Sequence, residues 1–303
     1  MKKISFRHFL FLVILINTWI FPSCQHQQPP AKHIISQSEM DTFHFRAVNA
    51  FPNYDNISGI IYLLKDIDVI FIQEAVNGIE NMEKYTDNDL LMAANIGAYM
   101  TDIGYMWSYN ETDAALNLNI AVLSLAEQLD MAMAFLESFF QRYDEEEANP
   151  DTILVLIERD LKEAVKQFPE ENRLELYSAM LTGSFVEKLH LLFEMIKRCP
   201  EISNAVDISV ENLQKLVWVA AGQIKALEEL NKQIDSYAIP KENQFYHEEL
   251  VNLYSIMSET NFLQDSCVVR SVQLIENPEF LNLYLEVSRL RDYITNPGIQ
   301  TIQ

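Results

Sequence analysis

Glycine and proline are scarce in this chain, and their scarcity constrains the fold more than any other feature of the sequence. Only seven glycines and ten prolines occur in 303 residues. An all-β fold needs turn residues at short intervals, so this composition argues against one. Apolar side chains instead recur at helical spacing along most of the chain. The sequence therefore predicts an all-α fold, either a multi-helix bundle or a stack of helical hairpins.

Ten helices are expected from this periodicity. They cover 56–65, 86–110, 111–129, 131–144, 150–168, 170–198, 209–236, 242–260, 262–275 and 278–294. Asn277 is expected to cap the last helix, with Pro278 in its first turn. Ser209 is expected to cap another helix, and Pro200 to end the helix before it. The apolar run within 66–81 fits a short strand or a helix equally well.

Small side chains form a stripe along the helix expected at 86–110. Gly97, Thr101, Gly104 and Ser108 are separated by four, three and four residues, so they share one face. A glycine inside a helix costs roughly 1 kcal/mol relative to alanine. Close approach of a second helix would offset that cost, so the stripe indicates tight helix packing. A kink that lines a ligand site is the alternative.

Another face of the same helix carries a carboxylate among aromatic side chains. The candidate ligand-binding residues on this face are Tyr99, Asp102, Tyr105 and Tyr109. A carboxylate in such surroundings must find hydrogen-bond donors, and the tyrosine hydroxyls are the obvious ones. One interpretation is a polar network that fixes helix register. The other is the floor of a small-molecule pocket, to which Trp107 or Trp218 would add aromatic surface.

The first residues have the pattern of a secretory signal peptide. Basic residues precede an apolar run from Phe9 to Ile20, which is shorter than the about 20 apolar residues of a membrane span. Ser23 and Cys24 follow, and they resemble the lipobox of bacterial lipoproteins. This resemblance implies a signal peptide over 1–23, lipidation at Cys24 and membrane attachment through lipid. A plain secretory signal with an incidental cysteine is the alternative.

Two further segments follow the expected cleavage site. Residues 24–50 begin with a stretch rich in glutamine and proline, which is typical of a flexible tether. Residues 51–303 are expected to form the all-helical domain. The formal net charge is −22, so the chain should repel nucleic acid and anionic lipid, and any charge-driven partner should be basic.

Motifs for catalysis and metal binding are sparse. Glu187 and His190 have the E-x-x-H spacing that forms half of a di-iron carboxylate site, but no second copy occurs, so no metal site is expected. The chain lacks a nucleophile elbow, a P-loop and a dinucleotide fingerprint, so no catalytic residue and no cofactor is predicted. Cys199 and Cys267 are either bridged or simply buried small side chains.

The stretch 77–131 resembles an uncharacterised family of helical lipoproteins from the Bacteroidota. The matching residues are Gly97, Tyr99, Asp102, Tyr105 and Tyr109, followed by the run LAEQL at 125–129. The sequence GSFVEKLHL at 183–191 is similar to a later segment of that family, and the resemblance extends from about Phe51 to Tyr237. It implies an all-helical, lipid-anchored envelope protein and implies no activity. The helical pairs also resemble tetratricopeptide hairpins, but no repeat of about 34 residues recurs, so this is an architectural analogy.

Three functional hypotheses follow. The first is a non-enzymatic protein-interaction or accessory subunit of the cell envelope, anchored by lipid to the periplasmic face of the outer membrane. The second is a small-molecule-binding lipoprotein with a pocket near Asp102. An enzyme whose site is assembled from distant residues is a third hypothesis.

Overall fold

The structure, a computed structural model, describes residues 67, 69–131, 173–202, 206–237, 244–264 and 272–296. Every regular element in these ranges is a helix, and the helices pack around an apolar core. The prediction of an all-α bundle is therefore confirmed. The signal peptide, the tether and, apart from Met131, the helices predicted at 56–65, 131–144 and 150–168 lie outside the described residues.

Seven α-helices and three 3₁₀ helices lie in the described ranges. The α-helices are α1 (Asp89–Ser108), α2 (Thr112–Gln128), α3 (Leu174–Ile202), α4 (Val206–Asp235), α5 (Phe245–Glu259), α6 (Asn261–Gln264) and α7 (Pro278–Thr295). The 3₁₀ helices are Gln73–Ala75, Ile79–Lys84 and Val272–Glu276. Six predicted helices are thus confirmed, and their ends differ from the prediction by at most four residues.

Three predicted boundaries are wrong. Helix α3 continues through Pro200 to Ile202; the proline forgoes one hydrogen bond, so close to the helix end that only two helical residues follow it. Ser209 does not cap α4, since that helix already begins at Val206. The helix predicted at 262–275 is wrong at its C-terminal end, where Val272–Glu276 is a 3₁₀ helix; α6 is described over Asn261–Gln264. A pattern this short does not distinguish an α-helix from tighter turns.

The region 66–81 is neither a strand nor an α-helix where the structure describes it. It contains the 3₁₀ turn Gln73–Ala75 and the start of Ile79–Lys84, joined by extended residues. Residues 69–85, called the covering segment below, lie against α1, α3 and α7. Side chains of the helices beneath bind several of its backbone groups, so a local sequence pattern carries little information about its conformation.

Two helix starts show how short polar side chains set the boundaries. Asn88 accepts the backbone N–H of Leu91 at 2.9 Å and caps α1. Asn277 accepts the backbone N–H of Glu279 at 2.7 Å and caps α7, with Pro278 at the first helical position. The predicted cap at Asn277 is confirmed, and each contact satisfies a donor that no helical carbonyl can reach.

Helices α1 and α3 are almost wholly buried, and they approach each other backbone to backbone. A Cβ atom on Gly97 would lie 1.9 Å from the Met180 carbonyl oxygen of α3, and one on Gly183 would lie 1.8 Å from the Ala94 carbonyl oxygen of α1. The hydroxyl oxygens of Thr101 and Ser184 are 2.9 Å apart at the same crossing. The tight-packing interpretation is therefore confirmed for the first half of the stripe. In its second half, Gly104 is buried and Ser108 is half-buried at the helix end.

Helix α7 brings the C-terminal part of the chain back to this pair. It packs on α3 and α5, and its inward face is apolar, with Phe280, Leu283, Val287 and Leu290 buried. Within the described residues, no helix has the length and hydropathy that crossing a membrane requires.

Candidate functional site

Three charged or titratable side chains meet in the core between α1, α3 and α7. Arg291 donates from Nε to Glu187 Oε2 at 3.1 Å and from Nη2 to Glu187 Oε1 at 3.1 Å. Asp102 lies beside Glu187, and Arg291 also interacts with it electrostatically. Asp102 and Glu187 are 0 % and 1 % exposed. A bidentate contact of this kind fixes both partners, and in a dry environment neither charge can be left alone without a large cost.

The protonation of Asp102 follows from this geometry. Burial, and after it the negative charge of Glu187, raises the pKa of Asp102 well above its ordinary value. Arg291 and the backbone amide of Asn77 act in the opposite direction without cancelling the shift. One guanidinium group can balance only one carboxylate, so the cluster is neutral when Asp102 keeps its proton. Asp102 is then a neutral acid beside the Glu187 carboxylate.

His190 lies one helical turn from Glu187 and is held neutral. Burial, followed by the positive charge of Arg291, lowers the pKa of His190 to about 3. Its Nδ1 atom has no hydrogen-bond partner within the described parts of the chain. Glu187 and His190 have the spacing of metal ligands, but the Glu187 carboxylate is already hydrogen-bonded to Arg291. The described residues contain no group of three or more side chains able to hold a metal ion.

The covering segment is fastened over this cluster by four contacts to its backbone. The segment donates N–H of Ile72 to the Tyr105 hydroxyl at 2.9 Å and N–H of Asn77 to Asp102 Oδ2 at 3.0 Å. It accepts Tyr99 OH at the Gly78 carbonyl at 3.0 Å, and Arg291 Nη2 at the Ala75 carbonyl at 3.1 Å. Helices supply these partners because the segment has no ladder of its own, and a buried unpaired amide or carbonyl would be costly.

Asn77 joins the covering segment to the chain end of α7. Its side-chain amide donates to Asn95 Oδ1 at 3.2 Å and to the Tyr85 hydroxyl at 3.3 Å. Asn95 and Tyr85 continue to the last turn of α7, where they donate to the carbonyls of Ile294 and Thr295 at 2.8 and 2.9 Å. These contacts connect residues about 200 positions apart, so the network joins an early part of the described chain to the end of α7.

The predicted site residues divide into two groups. Tyr99, Asp102 and Tyr105 are buried side chains of one network, and each binds the backbone of the covering segment. Tyr109 is half-buried just beyond α1, with its ring centroid 5.7 Å from that of Phe71. The structure does not test whether these residues bind a ligand, and that prediction stands as a prediction. Of the two tryptophans, Trp107 is on α1 and Trp218 on α4, and both are buried.

One expectation about this cluster is wrong. The tyrosine hydroxyls were the expected donors to Asp102, but the donor is the backbone amide of Asn77. Tyr99 and Tyr105 instead reach Gly78 and Ile72 of the covering segment. The reason is that an irregular buried backbone has more unpaired groups to satisfy than a protonated carboxyl does.

Sequence reasoning missed several members of the network. Arg291 carried no local signal, because its partner Glu187 is 104 residues away. Glu187 was noticed only for its spacing to His190. Asn77 has the sequence context of an ordinary polar residue, and only the fold brings it to Asn95, which shares the helix face of Asp102.

An open cleft of about 440 Å³ lies beside the covering segment, between it and the facing parts of α1 and α2. Its floor is formed by the buried residues Asn77, Met106 and Leu118. Its exposed rim includes Ile79 and the carboxylates of Glu74 and Glu80. Asp102 does not line this cleft, but it holds the Asn77 backbone that does.

No family model, no curated protein and no solved structure matches this chain.

Proposed function

We propose that this protein is a non-enzymatic, lipid-anchored interaction or accessory subunit of a bacterial cell envelope. Cys24 would carry the lipid, and residues 24–50 would hold the helical domain away from the membrane. The resemblance to helical lipoproteins of the Bacteroidota supports the same proposal. The residues after Cys24 lack the acidic run of a surface-export signal, which favours the periplasmic face of the outer membrane.

The observation that supports the interaction role is that buried titratable side chains bind other parts of the protein itself. Three of the titratable side chains in the core, Asp102, Glu187 and Arg291, bind one another and the chain's own backbone. They lie beneath the covering segment, where a reacting substrate has no access. The open cleft has an apolar floor and a polar rim, which is the layout of a small recognition surface.

In-cell cross-linking tests this proposal. The natively expressed protein is cross-linked, purified by affinity and compared by mass spectrometry with the Cys24→Ser form. The anchored form should capture a specific envelope partner, and Cys24→Ser should move to the soluble fraction and lose that partner. Recovery of the bare protein from both forms would contradict the interaction role.

The cleft also favours a second candidate, a small-molecule-binding lipoprotein with its pocket near Asp102. A volume of about 440 Å³ lies within the range of small-molecule pockets. Mass spectrometry of the native protein under non-denaturing conditions tests this candidate. A co-purified small molecule that is retained by wild type and lost in Leu118→Trp, which fills the cleft floor, would favour it. The absence of any added mass on wild type would count against it.

A further inference from the structure

We infer that the cleft binds a lysine or arginine side chain presented by a partner protein. This inference rests on the proposed interaction role and names the chemistry of its contact. It has three supports: the charges at the rim, the apolar floor, and the acidity of the whole chain.

The rim of the cleft presents negative charge. Glu74 and Glu80 line it, whereas none of the described residues that line it is lysine, arginine or histidine. Glu74 already contacts Arg198 at 3.0 Å, and Arg198 is shared with Glu194. No lysine, arginine or histidine among the described lining residues pairs with Glu80. The Glu80 carboxylate is therefore more available than that of Glu74 to pair with a cation from a partner.

The backbone places the Glu80 carboxylate at the wall of the cleft. A Cβ atom on Gly78 would lie 2.1 Å from Glu80 Oε1, so the carboxylate occupies the space that a side chain at Gly78 would fill. Gly78 is itself held by Tyr99 through its carbonyl oxygen. The covering segment therefore fixes the glycine, and the Glu80 side chain lies folded against it at the cleft.

The floor beneath these carboxylates is apolar apart from Asn77. Met106 and Leu118 are each 3 % exposed and reach the cleft from α1 and α2, while Ile79 is 41 % exposed at the rim. A lysine or arginine side chain has an aliphatic stem and a charged head, and it can bury the stem while the head stays at a polar edge. Methionine adapts its shape readily to such a stem. The two halves of this side chain thus match the floor and the rim.

The total charge points to the same class of partner. A chain with formal charge −22 attracts basic surfaces and repels acidic ones over several ångströms of solvent. A cationic side chain at the cleft would then combine long-range attraction with a shaped local contact.

Fluorescence anisotropy with the full-length protein in detergent micelles tests the inference. The probe is a short labelled peptide with one central lysine flanked by leucine and alanine, and its control is the same peptide with Nε-acetyl-lysine. Acetylation should weaken binding about three- to tenfold, since it removes the charge but keeps the stem. Glu80→Gln should weaken binding of the lysine peptide about two- to fivefold, and added salt should weaken it further.

Glu259→Gln is the matched control variant. Glu259 is an exposed carboxylate at the end of α5, none of whose residues lines the cleft. This variant should bind the lysine peptide as wild type does. Equal binding of both peptides, equal weakening by both variants, or no binding of the lysine peptide would overturn the inference. If the peptide test fails but the anchored protein is still cross-linked to an envelope partner, the proposed function stands and only this inference is rejected. If neither peptide binding nor a cross-linked partner is found, both the inference and the proposed function are rejected.

Discussion

The guanidinium group of Arg291 holds the carboxylate of Glu187 through two nitrogen atoms, with both closest contacts at 3.1 Å. The same Arg291 donates to the Ala75 carbonyl, so α7, α3 and the covering segment meet at one cation. Asp102 completes the arrangement from α1 as a second carboxyl group that the cation does not neutralise. The number of charges, two acids and one base, determines how stability should depend on pH.

Wild type should become less stable as the pH rises, and Asp102→Asn should abolish this decrease. Because the folded chain holds the Asp102 proton to higher pH than the unfolded chain, the free energy of unfolding should fall above about pH 4 and level off beyond the folded pKa. The slope of this contribution is at most about 1.4 kcal/mol per pH unit. Asparagine mimics the protonated acid, so the variant should fold and lack this decline. Urea unfolding at pH 5 and pH 9 checks it, and identical pH profiles for both proteins would contradict it.

His190→Gln should act at the opposite end of the pH scale. The pKa of His190 is lowered to about 3, so the folded chain excludes a proton that the unfolded chain takes up near pH 6.5. Wild type should therefore lose stability as the pH falls from about 6.5 towards 3, and the variant should lose less. Thermal unfolding at pH 7 and pH 4.5 measures this. A wild-type protein that is no less stable than the variant at pH 4.5, relative to pH 7, would be inconsistent with a buried neutral imidazole.

Glu187→Gln should destabilise the fold by an amount that depends on Asp102. Removing the partner of a buried guanidinium group costs about 3–5 kcal/mol. Asp102 can lessen this cost by ionising, because it already interacts with Arg291. The double variant Asp102→Asn/Glu187→Gln lacks that option and should be less stable than the sum of the single effects by about 0.5–3 kcal/mol. Additive single effects in urea unfolding at pH 7 would show that the two carboxyl groups are independent.

Glu249→Gln is the control for that experiment. Glu249 pairs with Arg289, which is half-exposed on the surface, so its loss should cost at most about 1 kcal/mol.

Gly97→Ala and Gly183→Ala should each weaken the α1–α3 contact. The new methyl groups would meet the carbonyl oxygens of Met180 and Ala94, which are backbone atoms and cannot rotate away. A loss of about 1–3 kcal/mol or more in the free energy of unfolding is expected. Gly78→Ala is the matched control, since its methyl group meets only the flexible Glu80 carboxylate and should cost about 0.5 kcal/mol or less. Equal losses at all three sites would contradict the close approach of the two helices.

Much of the fold could be predicted because its signals are local. Helical periodicity located α1, α2 and α7, and the Asn277–Pro278 pair marked the start of α7. The Gly97 and Thr101 stripe correctly indicated close helix packing, because glycine in a helix interior needs a compensating contact.

The rest depended on contacts between distant parts of the chain. The covering segment takes its conformation from side chains such as Asp102 and Tyr105, which lie 25 and 33 residues beyond the amides they bind. The burial of Asp102 was predictable from its aromatic neighbours. Its pairing with Glu187 and Arg291 was not, because long-range ion pairs leave no periodic trace in a sequence. Cys267 lies outside the described residues, so a disulfide between Cys199 and Cys267 and two buried thiols both stay predictions. Cys199 itself is buried, and burial raises the pKa of its thiol to about 11.

The proposed function depends most directly on the anchor at Cys24, and mass spectrometry of the native protein from its own membranes measures it. We predict a mature chain that begins at Cys24 and carries the added mass of a diacylglycerol group. A mature chain that begins at another residue, or a Cys24 terminus without acyl mass, would contradict the membrane-attached role.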